Sequence, residues 1–385
     1  MIALANLVRL YQKMAEGRFD VVIAATPANV AYLSDYRSES QWTGGAHAFV
    51  VISSDRHVAP TIILPKAELY DFEKSESDWI REVKCYGAFF IEGSAKGKHL
   101  VDSETPLAAL LQCLRDIRLD NGKIGVDEDG FHGLELESLR KDSPNAKLEA
   151  ASDLFRETRI VKTREEVAQL TKSSHIVESA ISETLKSAKL GMKGDELVRK
   201  FNRFVIEFGG FPVMTTIGLG KKGYLQSLPP KKKIVKGDIL RFDVGCVYNN
   251  YCSDIARTAI IGKPARKCET YYSALFRGQK AALKSIRPGR RVSEVFNVAV
   301  ETVRKSGIPH YTRHHCGHGI GVELYEPPKI TMKESRVLEE DMVLCVETPY
   351  YEVGFGGLSV EDMVLVTQPG FKYLTSLSRE LFNPL

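Results

Sequence analysis

The sequence predicts an α+β protein in two parts, a smaller α/β domain over residues 1–155 and a larger domain over residues 156–385. Three observations lead there. The chain has 385 residues, more than one domain of roughly 100–200 residues accounts for. Residues 1 to about 150 alternate helix-like and strand-like stretches, the mixed order of an α/β layer. Beyond them come long helical patterns and a last stretch of strand-like segments joined by glycine-rich loops.

In order along the chain, Leu7, Leu10, Tyr11 and Met14 recur at helical spacing, and Val21 to Ala25 follow as a buried strand. Ala48 to Ile52 and Thr61 to Leu64 read as further strands, Leu107 to Ile117 as a helix, and Lys123 to Val126 as a short strand. Thr163-Arg-Glu-Glu166 has capping-box form, so a long helix starts there, runs to about Leu190 and stops at Gly191. A second helix spans about Asp195 to Phe208, ended by Gly209-Gly210. Strands near Val213–Leu219 and Asp238–Gly245 follow, then helices from about Cys268 to Ile286 and from a Ser293 cap to Lys305.

Composition narrows the function. With 43% hydrophobic and 26% charged residues the chain has apolar material for a core in each domain of a soluble protein. The net charge of +4, from 53 basic against 49 acidic residues, is too small and too dispersed for a nucleic-acid partner. The seven cysteines are irregularly spaced with no CxxC, which fits reduced thiols and a cytoplasmic location. Charges at Arg9, Lys13 and Glu16 make the N-terminal stretch an amphipathic helix and not a signal peptide. No run of about 18 apolar residues offers a membrane span.

Three clusters carry chemistry. In the first, an apolar strand leads into Asp243, Asn249-Asn250 supplies a turn, and a second strand carries Asp254. In a hairpin with an even loop, the odd separation of these aspartates puts both on one face. Two carboxylates there repel and lose solvation, a cost of roughly several kcal/mol that a cation would offset. The alternative is that one caps a turn while the other pairs with Arg257. The second cluster is His314-His315-Cys316-Gly317-His318-Gly319, where glycines allow close backbone packing and leave the imidazole accessible, or form a turn with surface histidines. The third holds Glu347 and Glu361 within apolar alternation, as buried partners or as solvent-facing positions of an antiparallel pair. Together, four carboxylates and one imidazole form a hard, oxygen-rich set suited to two Mn, Fe, Co or Zn ions, Mn favoured. Such a centre activates water and polarises a carbonyl, so the expected reaction is hydrolysis of an amide or related C–N bond. The lysine run Lys231-Lys232-Lys233, with Lys221, Lys222 and Lys236, is either a solvated loop or a basic patch at the mouth of the site.

The order of two aspartates, GHGIG and two glutamates resembles the pita-bread metallopeptidases: methionine aminopeptidase, aminopeptidase P, prolidase and the related non-peptidase creatinase. The resemblance extends over nearly the whole chain, through Pro27-Ala-Asn-Val-Ala-Tyr-Leu and Arg159-Ile-Val-Lys-Thr-Arg-Glu-Glu. It implies a creatinase-like N-terminal α/β domain before a pita-bread catalytic domain, a homodimer, and a short peptide or peptide-like amide as substrate of an Xaa-Pro dipeptidase or aminopeptidase. It also implies roles: Asp243 on one metal, Asp254 and Glu361 bridging, His318 and Glu347 on the second, Glu347 shuttling a proton, and His314 near the scissile bond. Three positions depart from the family pattern. Gln226 and Tyr325 stand where the peptidases have histidines, and Ser359 where prolidases tend to have an arginine. All three belong to the substrate shell. They keep open a creatinase-like hydrolase or lyase acting on a small nitrogenous metabolite.

Overall fold

The computed structural model describes residues 4–75, 79–89, 103–225 and 231–384. The chain divides into two compact units, Met1–Arg159 and Ile160–Leu385.

The first unit is built on a six-stranded sheet of β1 (Val21–Ala24), β2 (Phe49–Ser53), β3 (Thr61–Pro65), β4 (Glu82–Tyr86), β5 (Lys123–Val126) and β6 (Lys147–Ala150), in the order β4-β3-β2-β1-β5-β6. β1, β5 and β6 pair in parallel, as do β3 and β4, whereas β2 is antiparallel to both neighbours. The helix Pro106–Asp116 buries Ala109, Leu110, Cys113 and Leu114 in the core shared with β1, β2 and β5. Asp127, fully buried just after β5, ties this unit together. It accepts hydrogen bonds from the Ala25 and Thr26 amides, the Thr26 hydroxyl, the Asn29 amide group and the Ser152 hydroxyl, at 2.7–3.0 Å. A carboxylate so placed caps the helix Pro27–Ser34 at its positive end.

The second unit has two sheets. β7 (Phe211–Leu219), β8 (Ile239–Tyr248) and β10 (Ile255–Ile260) form one in the order β10-β8-β7, with β9 (Tyr251–Cys252) continuing the β8 hairpin. The other has the order β12-β11-β13-β16-β17, from β11 (Gly317–Gly319), β12 (Glu326–Lys329), β13 (Val343–Glu347), β16 (Glu361–Thr367) and β17 (Gly370–Tyr373), all antiparallel. A small ribbon of β14 (Tyr350–Glu352) and β15 (Gly356–Leu358) lies between β13 and β16 in sequence.

Period-two alternation sorts the side chains. Along β8, Leu240, Phe242, Val244 and Cys246 enter the core formed with the helices Arg164–Ser187 and Gly194–Glu207. Along β13 and β16, Leu344, Val346, Val364 and Val366 meet the helices Arg266–Ser285 and Val292–Lys305. The intervening positions, Asp243, Glu347 and Glu361 among them, face away from the helices. The last of these helices is capped at Arg291, and Ser293 lies inside its first turn rather than at its cap.

The capping box at the long helix is present: the Thr163 hydroxyl accepts from the Glu166 amide, and the Glu166 carboxylate from the Thr163 amide at 2.8 Å. Burial pushes the Glu166 carboxyl up to about 8, against the attraction of Lys162. A carboxyl with a raised folded value stabilises fully below its unfolded value near 4.3, and that contribution disappears as pH rises to about 8. Glu166→Gln keeps the cap acceptor and removes the titration. The variant is expected to lie close to the parent near pH 5 and to exceed it by ~4 kcal/mol near pH 9. Thermal melts at the two pH values check this, and equal pH slopes for both proteins would refute it.

Candidate metal centre

The hairpin from β8 to β10 sets the first half of the centre. Asn249 and Asn250 have φ of 45° and 69°, the left-handed pair that a two-residue type I′ turn requires and that asparagine tolerates. Register is continuous from Tyr248↔Tyr251 through Val247↔Cys252 to Ile255↔Val244 and Ala256↔Asp243. Asp254 therefore stands diagonal to Asp243 on the same face. In the other sheet Glu347 pairs directly with Glu361, and His318 lies opposite Cys345, two residues before Glu347. The glycines around His318 have a steric reason. A Cβ on Gly317 would sit 2.0 Å from the Cys345 carbonyl oxygen, and one on Gly319 2.3 Å from that of Pro327, so only glycine lets β11 pack between β12 and β13.

Asp243, Asp254, His318 and Glu361 converge, and Glu347 joins them as the cross-strand partner of Glu361. Ligand atoms of Asp243, Asp254 and Glu361 lie within 4.8 Å of one another, and so do those of His318, Cys345 and Glu361. Asp254, His318 and Glu361 are at most 2% exposed and Glu347 is 7% exposed, so all but Asp243 are cut off from bulk water. The His318 Nδ1–H donates to the Gly319 carbonyl at 2.8 Å, which leaves Nε2 as a lone-pair donor 3.6 Å from Asp254 Oδ2.

The electrostatics are those of a site short of positive charge. Burial raises the Asp243 carboxyl to about 7, Arg241 pulling down while Asp254 and Glu347 push up. Burial also raises Asp254, His318 opposing. Glu361 stands well above the usual range through burial and then the charges of Asp254, Glu347 and Asp243. Burial pushes Glu347 up too, but the His315 imidazole, its Nδ1 2.9 Å from the Glu347 carboxylate, outweighs it and holds Glu347 below its ordinary value. Arg241 is fully buried and its Nη1–H donates to Asp243 Oδ2 at 2.6 Å. It offsets one of four carboxylates. Among the described residues, Asp254 and Glu361 have no lysine or arginine ion-pair partner, and buried Asp254 Oδ1 has no hydrogen-bond partner. An orphaned oxygen beside mutually repelling carboxylates fits residues arranged for divalent cations. Burial, then Glu361 and Asp254, drives the Cys345 thiol far up, so it neighbours the centre as a neutral thiol.

A cavity of about 530 Å³ opens onto Asp243, Asp254, Glu347 and Glu361. His314 and Tyr325 line it. His314 is exposed, its ring edge-on to His315 at 4.2 Å. Tyr325 stacks on His318 at 3.9 Å. Ser359 does not line the cavity: it is fully buried, and its backbone exchanges hydrogen bonds with the Thr258 hydroxyl. Gln226 lies outside the described residues. Arg257 pairs with Asp362, at 2.7 Å, and with neither metal-site aspartate. Lys221, Lys222, Lys232 and Lys236 line a different cavity that shares no lining residue with this one. The sequence reading passed over Arg313, His315 and Tyr351, which line the cavity, and Arg241, which pairs with Asp243 behind it. Only the doubled His314-His315 and the spacing of Arg241 from Asp243 gave a signal.

Residues 168–368 match the metallopeptidase family M24, and residues 7–161 match the creatinase/prolidase N-terminal domain. The chain is 28% identical over 381 residues to an Xaa-Pro dipeptidase of Pyrococcus furiosus, with 98% of this chain and 99% of that protein covered. Its fold is similar to the crystal structure of the prolidase from Pyrococcus horikoshii, at a TM-score of 0.79 and 25% identity over 98% of this chain and 99% of that one. The X-Pro aminopeptidase of Thermotoga maritima shares the fold at a TM-score of 0.81 and 23% identity, covering 97% and 98% of the two chains.

Proposed function

Because the chain belongs to metallopeptidase family M24, a family of enzymes that use divalent metal ions, we propose that it is a dinuclear Xaa-Pro dipeptidase or a close variant cleaving short peptides. The observation that carries this reading is the convergence of Asp243, Asp254, Glu361 and His318 around the unpartnered oxygen of Asp254, with Glu347 beside Glu361 on the neighbouring strand. Asp243 would hold one metal, Asp254 and Glu361 both, and His318 with Glu347 the second. When bound, the pair supplies an activated water and a polarised substrate carbonyl. Glu347, kept ionised by His315, accepts and returns the proton. His314, at the cavity rim, is placed to hydrogen-bond the peptide beside the scissile bond. The Tyr325 phenol stays protonated, since burial and the carboxylates raise it far above its usual value, and offers a donor where the family pattern has a histidine.

Manganese is the proposed metal, from the oxygen-rich donors. Seven buried thiols support a cytoplasmic site of action, and no described helix is long and apolar enough to cross a membrane. The proposed assembly is a homodimer, which light scattering tests. The decisive assay supplies Mn or Co to the purified protein with a panel of Xaa-Pro dipeptides. Turnover with two metals per chain is expected. Failure on every dipeptide would remove the peptidase reading, and faster turnover of small guanidino or amide compounds would favour creatinase-like chemistry.

A further inference from the structure

We infer that Arg313 is the receptor for a carboxylate of the substrate, so that the enzyme selects peptides by that charge. The inference rests on the peptidase reading and names what that site recognises. The cavity is walled by Asp243, Asp254, Glu347 and Glu361, which would be taken up by the metals, so a substrate carboxylate held away from the reacting bond needs a cation of its own. Two arginines are near. Arg241 is committed: besides Asp243, it donates to the carbonyls of Gly223 and Leu225 at 3.2 and 3.3 Å. Arg313 is not. It lines the cavity, its Nε is buried without a hydrogen-bond partner, and its side chain makes no hydrogen bond or ion pair among the described residues.

Its setting holds the guanidinium ready. The Tyr351 ring centroid lies 5.4 Å from the Arg313 Cζ and 5.0 Å from the Arg241 Cζ, so one aromatic ring orients both groups. A guanidinium presents a planar fork of donors that matches a carboxylate. Arg313 directly precedes His314, so an anion held there shares the cavity with the reacting bond. At Ser359, where the family pattern tends to have an arginine, the buried hydroxyl offers no charge. Arg313 supplies it from a different strand connection.

The test uses the full-length, Mn-loaded protein with Ala-Pro, Ala-Pro amide and Asp-Pro amide. The parent should prefer Ala-Pro to its amide by about 10–100-fold in kcat/KM, the range of a charge-assisted hydrogen bond. Arg313→Gln should raise KM for Ala-Pro by a similar factor with kcat within about threefold, the signature of lost uniform binding. It should leave the amide unchanged, and Arg313→Lys should recover part of the loss. A rescued rate on Asp-Pro amide would assign the carboxylate to a side chain, and no rescue to the peptide C-terminus. Calorimetric binding of N-acetylglycine against its amide gives a second readout. Lost discrimination in Arg313→Gln, with metal content and Tm intact, supports the role even if no peptide turns over. Unchanged KM and unchanged discrimination would overturn it.

Discussion

Glu361→Gln is expected to lower kcat/KM by ~10³-fold or more while making the metal-free protein more stable. The first effect follows from removing a shared anionic donor on which charge stabilisation depends. The second follows from sign. Burial and then the charges of Asp254, Glu347 and Asp243 hold the Glu361 carboxyl well above its ordinary value. In metal-free protein its contribution is full below the unfolded value near 4.3 and is lost as pH rises toward the folded one. At pH 7 glutamine escapes that penalty and gains ~1–3 kcal/mol. Metal reverses the ranking, because only the parent binds it tightly enough to gain linkage stabilisation. Calorimetric melts with and without Mn, beside elemental analysis and rates, give the crossing. A variant that retained both metals, or whose metal-free form melted below the parent, would contradict the account.

Arg257→Met should cost ~3–5 kcal/mol, the largest structural effect expected in the chain. Arg257 and Asp362 are both fully buried. Arg257 donates to Asp362 and to the carbonyls of Ala256, Glu361, Leu377 and Ser378, and so joins β10, β16 and the C-terminal segment. Asp362 in turn accepts from Gln279, Thr375 and Arg379 at 2.8–2.9 Å. Methionine fills the volume but removes one of the two cations that neutralise a buried carboxylate, and takes the donor from four backbone carbonyls. The remedy is to neutralise the partner: Arg257→Met with Asp362→Asn should recover part of the lost Tm. Because Asp362 is held below its ordinary value, by Arg257 and Arg379 against burial, the pair's contribution fades as pH falls through that depressed value. A loss under ~1 kcal/mol, or no recovery in the double variant, would refute the assignment.

What the sequence made legible was local. The Asn249-Asn250 turn, the capping box at Thr163 and the glycines around His318 are chemical signals within a few residues, and the strands and helices they bound follow from them. β4 and β6 escaped notice because they are short sheet edges whose charged-apolar alternation, Glu82-Val-Lys-Cys and Lys147-Leu-Glu-Ala, runs for only about four residues. Lys84 pairs with Asp116 and Glu149 with Lys123 and Lys147, the charged dress that keeps edges from pairing with strangers. The arginines were harder to read for the opposite reason. The spacing of two on β8 could have announced the Arg241–Asp243 pair, but the bonds of Arg241 to the Gly223 and Leu225 carbonyls and the platform of Arg313 on Tyr351 are contacts that no spacing in the chain announces. His315 differs from His314 only in which way its ring turns, a matter of where β13 lies.

The tight reversal at Asn249-Asn250 also carries an arithmetic consequence. Side chains alternate between faces with every residue, so the steps from Asp243 to Tyr248 and from Tyr251 to Asp254 must keep their parity if both carboxylates are to meet. A lone insertion within either strand, with no bulge to absorb it, would turn one aspartate toward the helix-packed core, although the strand would still read as apolar. The turn itself is freer: a third residue there can be taken up as a longer loop without disturbing the pairing.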